Sequence, residues 1–340
     1  MLIVLSHSIH KSDALERREA DGRAEFFWQP YNGGVTAPLP ADVRRRAAAI
    51  IHFAANSAID GTPSDYPRVR AVLRSGVGFD KIDLAAWGRR GVPVFNVPDY
   101  GVSEVADHAI ALMLALARGT ATYHDAIRAN PVKGWLPAGA PLVRRLRDCT
   151  FGVVGLGRIG LAAAQRARAF GMSIAFYDPY LPSGTEITVG ACRAATLNDL
   201  MAMSDIVSIH APGNEETKGM IGAAAFGAAR RGLILINTAR GSIVDLDALG
   251  AALRARKIAA AGLDVLPKEP ADAAHPLIAA WMRREPWIAQ RLTLSPHAAY
   301  YSPASVKDMR RFGLRTILNF IETGALANCV NPHVLKRARA

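Results

Sequence analysis

Short apolar runs separated by polar, helix-patterned stretches recur along the 340 residues, and they fall into two sets. The first set, Leu2 to Leu5, Glu25 to Trp28, Ala49 to Phe53, Val69 to Leu73 and Val92 to Asn96, has the spacing of a small α/β domain with a parallel sheet. The second begins at Phe151 and gives strand candidates at 153–154, 173–177, 205–209, 232–236, 260–265 and 291–294. Strands alternating with helical patterns in this way predict a doubly wound fold.

Between the sets, Ser103 as cap, Glu104 and Asp107 in the first turn, an apolar body, and Arg118 then Gly119 at the end predict a connecting helix. Residues 120–148, with Pro131, Pro137 and Pro141, read as irregular, either a loop or an oligomer contact. A final helix is marked by Ser302 as cap and Pro303 at its first position; Val306, Met309, Ile317 and Ile321 recur on one side, and Gly324 stops it. Lying beyond the last strand, this helix is expected to return to the first domain. That domain would then comprise residues 1–102 and 298–340, enclosing a second domain at 103–297.

The stretch FGVVGLGRIG at 151–160 changes the picture from fold to chemistry. Gly155, Gly157 and Gly160 follow a buried strand, where the backbone must bend tightly, approach a pyrophosphate and let a helix pack closely. The alanine-rich run from Leu161 to Phe170 supplies that helix, and its N-terminal amides point at the phosphates. Asp178 follows at the carboxyl end of the second strand, where a carboxylate accepts a ribose 2′-hydroxyl and repels a 2′-phosphate. A bare GxGxxG recurs by chance; strand, helix and acid in this order predict a dinucleotide, NAD rather than NADP.

Half of the residues are apolar, enough for sizeable cores in about two domains of ~150 residues. The longest uninterrupted apolar run, Ala109 to Ala117, is about half of the ~20 residues that span a bilayer, and MLIVLSHSIHKSD is too short an apolar opening for a secretory signal. A cytoplasmic protein with no membrane partner is expected. Cys149, Cys192 and Cys329, odd in number and widely separated, predict buried thiols. Neither HExxH nor clustered Cys/His spacing supports a metal centre. The formal charge is +12, but the arginines come as scattered pairs and triplets such as Arg44 to Arg46 and Arg230, Arg231, not as one basic stripe with aromatics. No nucleic-acid partner is expected, while anionic small molecules would profit from the general field.

Ligands of an open parallel sheet sit outside the carboxyl ends of its strands. Arg240, Glu269 and His297 stand just after the fourth, fifth and sixth strands of the second set. The planar fork of Arg240 can grip a carboxylate in two places. A glutamate bonded to one ring nitrogen of His297 favours the imidazolium, so that the other nitrogen can donate or accept a proton near neutral pH. Hydride transfer to a ketone needs such a donor, and an acid substrate needs a cation.

The chain resembles the D-isomer-specific 2-hydroxyacid dehydrogenases over nearly all of its length. The matching pieces are RSGVGFDKID at 74–83, NVPDYGVSEVADHAIALMLALAR at 96–118, GLGRIG at 155–160, HAPGNEETKGMI at 210–221, INTARGSIVD at 236–245, LDVLPKEP at 263–270 and SPHAAYYS at 295–302. The resemblance implies a Rossmann-type doubly wound domain and a smaller flavodoxin-like α/β substrate domain. It implies that Arg240 orients substrate, Glu269 supports the histidine, and His297 is the acid/base. It also implies that the Gly76, Val77, Gly78 turn offers amides to the substrate carboxylate, and such a turn has the physics of an anion nest. For the cofactor it implies Gly155, Leu156, Gly157, Arg158, Ile159 and Gly160, with Asp178, His210, Ala211, Pro212, Asn214, Thr217, Thr238, Ala239 and Asp264, and Arg240 and His297 alongside. Within the family, HPL at 275–277, REPWIAQRL at 284–292 and PHAAYYS look like the branch that includes the C-terminal binding proteins. That branch often carries tryptophan where this chain has Tyr300, a smaller side chain that brings a hydroxyl into the substrate pocket.

The expected function is NAD-dependent interconversion of a 2-keto acid and the D-2-hydroxy acid by a homodimer. The alternative is an NADH-responsive scaffold or corepressor-like protein of the C-terminal binding protein type. The Arg240, Glu269, His297 set favours the enzyme, since a scaffold needs no proton donor.

Overall fold

The computed structural model of the chain describes residues 1–31, 36–54 and 57–338. It divides into two compact units, Met1–Gly101 with Tyr301–Ala340, and Val102–Tyr300.

The first unit holds a five-stranded parallel sheet: β1 (Leu2–Ser8), β2 (Glu25–Pro30), β3 (Ala47–His52), β4 (Ala71–Arg74) and β5 (Val94–Phe95), in the flavodoxin-like order β2-β1-β3-β4-β5. Parallel strands are buried on both faces, which is why they read as apolar runs. On one face Ile3, Leu5, Ile51, Leu73 and Phe95 pack against Leu314, Ile317 and Leu318 of the helix Pro303–Thr323. On the other, Val4, Ile50, Val72 and Val94 meet Val43 and Trp87 of the short helices Ala41–Arg46 and Leu84–Arg89. Each such side chain contributes about 1.5–3 kcal/mol when fully buried. The long helix starts and stops as its sequence predicts. The Ser302 hydroxyl accepts the Ser305 N–H, Pro303 takes the first position, and Gly324 ends the helix at φ +76°.

A C-terminal segment closes the open side of β5. The fully buried Asn331 accepts the Val94 N–H at 2.8 Å through Oδ1 and donates through Nδ2 to the carbonyls of Val92 at 3.2 Å and Leu84 at 3.4 Å. Phe95 and Cys329 add an antiparallel bridge. Gly88 admits the helix Pro332–Ala338, since a Cβ there would lie 2.4 Å from Val334 Cγ1.

The second unit holds a seven-stranded parallel sheet: β6 (Thr150–Val154), β7 (Ser173–Tyr177), β8 (Cys192–Arg193), β9 (Ile206–Ile209), β10 (Leu233–Asn237), β11 (Ile258–Leu263) and β12 (Leu292–Leu294). The order β12-β11-β10-β9-β6-β7-β8 reverses between β6 and β9, and such a reversal opens a crevice at the carboxyl edge. Helices Val102–Ala117 and Arg158–Ala169 cover the face carrying Phe151, Phe176, Ile206 and Ile234. Leu200, Phe226, Leu249 and Leu277 cover the face carrying Val207, Leu235 and Leu263. The expected α/β class is therefore present in both units. Among the described residues no helix is long and apolar enough to cross a membrane.

Four details differ from the sequence reading. A seventh strand, Cys192–Arg193, joins the edge, and it has no apolar run because Arg193 itself lies over the Phe176 ring at 4.9 Å. The stretch read as irregular begins with a helix, Thr120–Ala129, and Ser103 lies inside its helix rather than capping it. Of the three cysteines read as buried thiols, Cys149 is buried, Cys329 is half-buried, and Cys192 on the edge strand is exposed.

Asn331→Ala leaves the Val94 N–H without its partner and should destabilise the first unit by about 1–3 kcal/mol. Faster amide exchange along β4 and β5 is the expected readout; unchanged exchange there would mean that the clamp carries no stability.

Candidate active site

The glycine turn after β6 is shaped by close backbone approaches. Gly155 has φ +85°, and a Cβ on it would lie 2.8 Å from the Ala211 nitrogen. A Cβ on Gly160 would lie 2.2 Å from the Gly155 carbonyl oxygen, so glycine alone lets the helix Arg158–Ala169 meet the turn. Gly157 caps that helix without a side chain, and an added Cβ would meet nothing within 4 Å. Leu156 donates its N–H to Asp178 Oδ2 at 3.0 Å, and Tyr180 donates to Oδ1 at 3.0 Å. Asp178 therefore fixes the turn through Leu156, and each carboxylate oxygen keeps a lone pair for a ribose hydroxyl.

The loop after β9 comes next to this turn, and it braces itself. Asn214 donates its N–H to Thr217 Oγ1 at 3.0 Å, Thr217 returns an N–H to Asn214 Oδ1 at 2.9 Å, and the threonine hydroxyl donates to the Pro212 carbonyl at 2.7 Å. His210 pairs with the Ser208 hydroxyl at 2.9 Å, and burial pushes its pKa down to about 4, so its ring is neutral at pH 7.

At the end of β10, the buried Asn237 side chain accepts the Ala239 N–H at 3.0 Å and donates to the Arg240 carbonyl at 2.9 Å. Arg240 donates from Nη1 to the Ala239 carbonyl at 2.7 Å. Two glycines set its surroundings. A Cβ on Gly213 would lie 2.7 Å from Arg240 Cγ, and one on Gly241 would lie 1.9 Å from the Leu266 carbonyl carbon. Gly213 thus admits the arginine stem, and Gly241 lets the loop that carries Glu269 lie against the loop that carries Arg240. Sequence reasoning passed over Asn237 and Gly241, although both stand inside a motif it singled out.

Glu269 Oε2 and His297 Nδ1 are 2.7 Å apart, and Glu269 Oε1 accepts the Leu266 N–H at 3.0 Å. Burial pushes the Glu269 pKa up, but the hydrogen bond and charge of His297, the Leu266 amide and the Arg240 charge together hold it below the usual value. Glu269 is therefore ionised at neutral pH and can only accept, so Nδ1 carries the proton and Nε2 is the atom available for chemistry. The Tyr300 ring lies edge-on to His297, with centroids 6.5 Å apart. Asp264, nearly fully buried, spends its carboxylate on the His297 loop, accepting from Ser295 Oγ at 2.6 Å and from the N–H groups of Ala298 and Ala299, each at 2.9 Å. One lone pair of Oδ2 remains for a further donor.

On the first unit, Gly76 has φ +146°, and the Arg74 guanidinium nitrogen Nη1 lies 2.6 Å from where a Cβ would stand. The turn is held by Asn96 Nδ2, which donates to the Val77 carbonyl at 2.7 Å, and by Val97, which donates to the Gly76 carbonyl at 3.0 Å. Just before it, Ser6, His52 and Arg74 are neighbours across β1, β3 and β4, forming a polar row that sequence reading did not register. Burial, aided by the Arg74 charge, pushes the His52 pKa down to about 3. Arg240, Glu269, His297, Tyr300 and the cofactor candidates belong to the second unit; Gly76, Val77 and Gly78 belong to the first.

The second unit fits a dinucleotide on its own evidence. Its turn has glycine where a Cβ on Gly155 or Gly160 would strike backbone and open space beside Gly157, and Thr238 Oγ1, at the carboxyl edge of the sheet, is buried without a hydrogen-bond partner among the described residues. Fold and site thus define a dinucleotide-binding domain of the doubly wound class. The family description "D-isomer specific 2-hydroxyacid dehydrogenase, NAD binding domain" matches residues 110–299, and the chain belongs to this family, with NAD as its cofactor. It is 34% identical over 263 residues to the D-3-phosphoglycerate dehydrogenase of Archaeoglobus fulgidus, covering 77% of this chain and 47% of that protein. The chain spans about half the length, or less, of the curated relatives it matches. Among solved structures, the D-lactate dehydrogenase of Aquifex aeolicus complexed with NAD and lactic acid superposes with TM-score 0.82 at 26% identity, covering 97% of this chain and 99% of that one. An NADPH-dependent glyoxylate/hydroxypyruvate reductase of Sinorhizobium meliloti gives 0.81 at 29% identity, covering 97% of each.

Gly160→Ala forces apart the turn and the helix that meets it, so NADH affinity should fall by at least about tenfold, roughly 1.4 kcal/mol. Fluorescence titration of the purified protein measures it, and wild-type affinity would show that the turn does not contact the cofactor.

Proposed function

We propose that the protein is an NAD-dependent oxidoreductase that interconverts a 2-keto acid and the D-2-hydroxy acid. The observation that carries this reading is the Glu269–His297 pair, 2.7 Å apart at the carboxyl edge of the NAD-binding sheet, with the Arg240 charge bearing on Glu269. NADH, when bound, supplies the hydride. Ionised Glu269 holds the Nδ1–H of His297, which presents Nε2 to give a proton to the carbonyl oxygen in reduction and to take it back in oxidation. Arg240 pairs with the substrate carboxylate through its planar donor fork. On the first unit, the amides of Gly76, Val77 and Gly78 form an anion nest for the same kind of group. Tyr300, beside the histidine ring, limits the space for the substrate side chain. Family membership supports the D configuration, and the activities that relatives and neighbours are named for, on phosphoglycerate, lactate, glyoxylate and hydroxypyruvate, support a small 2-keto acid. A homodimer belongs to the same reading, supported by the apolar side chains of Val132, Trp135 and Leu136, which are all exposed.

NADH oxidation against glyoxylate, hydroxypyruvate, 3-phosphohydroxypyruvate, pyruvate and longer or aromatic 2-keto acids should reveal turnover that drops at least about 100-fold in His297→Ala, while NADH still binds. Turnover with none of these acids, or full turnover in the variant, overturns the reading. In Glu269→Gln the carboxylate that accepts the Nδ1–H of His297 is gone, so kcat should fall by at least about tenfold with NADH affinity unchanged; a wild-type kcat would leave Glu269 without a role in the proton transfer.

A further inference from the structure

We propose that His108 is a positioning residue for His297, acting through the Ser295 hydroxyl and the Asp264 carboxylate. The inference rests on the reading of His297 as the proton donor, and nothing in the family description or the names of similar proteins assigns a role to His108.

His297 has φ +53°, a left-handed conformation that a side chain beyond glycine adopts at a cost of order 1 kcal/mol, so the surrounding structure has to hold it there. The holding groups converge on one residue. The carbonyl of Asp264 accepts the His297 N–H at 2.8 Å, and its carboxylate accepts from Ala298, Ala299 and Ser295, residues on both sides of the histidine. The Ser295 hydroxyl has a single proton, and at 2.6 Å from Asp264 Oδ1 it is spent on the carboxylate, because an ionised carboxylate only accepts. The serine oxygen must therefore accept from its second neighbour, His108 Nε2, at 2.8 Å. His108 Nε2 also lies 3.6 Å from Asp264 Oδ1. These distances fix both the tautomer of His108, with hydrogen on Nε2, and the rotor of Ser295.

The far end of the chain of contacts is rigid. His108 stands on the helix Val102–Ala117, whose Ala106, Ala109, Ile110, Leu112 and Met113 are buried against the sheet. Through one imidazole, that helix pins the hydroxyl that completes the donors of a carboxylate with 1% of its side chain exposed. Without the imidazole, the serine proton still points at the carboxylate, but the serine oxygen loses the donor that holds it from the other side. The contact between Ser295 and Asp264 then loosens in a place where water does not replace it. The loop that fixes the left-handed His297 loosens in consequence, and the ring loses its alignment without losing any atom that touches substrate or cofactor.

The test uses the full chain with His108→Leu, which removes the donor, and His108→Gln, whose terminal amide restores a donor at the reach of Nε2. Hydrogen exchange of the Ala298 and Ala299 amides is measured without cofactor or substrate, beside kcat and KM. We expect His108→Leu to raise exchange and to lower kcat, each by about tenfold, with the KM for NADH little changed, because a misaligned group affects the chemical step rather than binding. His108→Gln should recover most of both. Ser295→Ala should reproduce the leucine variant, and the double variant should be no worse than either single one, as expected for residues acting in series. Wild-type exchange and wild-type kcat in His108→Leu would overturn the proposal. So would equal impairment of the leucine and glutamine variants with a common loss of thermal stability, which is the mark of a merely structural residue. Failure of the proposed function reads differently: full turnover in His297→Ala. The exchange measurement decides the coupling in either case.

Discussion

A carboxylate enclosed by protein must be supplied with donors, and at Asp264 the donors are the groups that shape the acid–base loop. Two amides and a hydroxyl converge on it from Ser295, Ala298 and Ala299, while its own amide donates to the Asn237 carbonyl on the neighbouring strand at 2.9 Å. The same residue thus joins the end of β10, where Arg240 emerges, to the loop after β12, where His297 emerges. Glu269 completes the arrangement from the β11 side, bonded both to the ring and to the Leu266 amide. Three strand ends become one rigid constellation by backbone and side-chain hydrogen bonds.

Close packing of loops makes this possible, and glycine is what permits it. Gly241 leaves room for the Leu266–Pro267 backbone, Gly213 for the arginine stem, and Gly160 for the Gly155 carbonyl. At each position a Cβ would stand 2.7 Å or less from an atom already there. The polar row of the first unit follows a different logic: Ser6, His52 and Arg74 stand at the rim where the apolar interior of the sheet ends, and His52 is kept neutral by being shut in.

Much of this was legible in the sequence because period and punctuation agree with tertiary structure in parallel α/β units. The apolar runs Leu2 to Leu5 and 173–177 fall in strands, and Ser302, Pro303 and Gly324 mark a helix whose ends are where those residues place them. The edge strand Cys192–Arg193 was not legible, since a two-residue strand covered by an arginine carries no apolar signal. The helix Thr120–Ala129 was hidden by the prolines that follow it and by a half-polar composition with no buried residue. At the candidate site, residue types and strand-end placement pointed to Arg240, Glu269 and His297, but partnership could not be read. That Asp264 spends its carboxylate on Ala298 and Ala299, and that His108 reaches Ser295, depends on contacts between residues far apart in sequence, which one chain does not reveal.

The discontinuity of the first unit has a consequence in time. Its five strands are complete at Phe95, yet the helix that covers Ile3, Leu5, Leu73 and Phe95 begins only at Pro303, about 200 residues later, and the Asn331 clamp on β5 comes later still. At a synthesis rate of roughly 5–20 residues per second, that interval is on the order of ten to forty seconds. Throughout it the nascent sheet shows the ribosome exit and its surroundings an apolar face and an unpaired edge, while the contiguous unit Val102–Tyr300 emerges whole and can fold first. Of the two units, the one whose synthesis starts earlier is thus the one completed later, and its hazard lies in birth rather than in service.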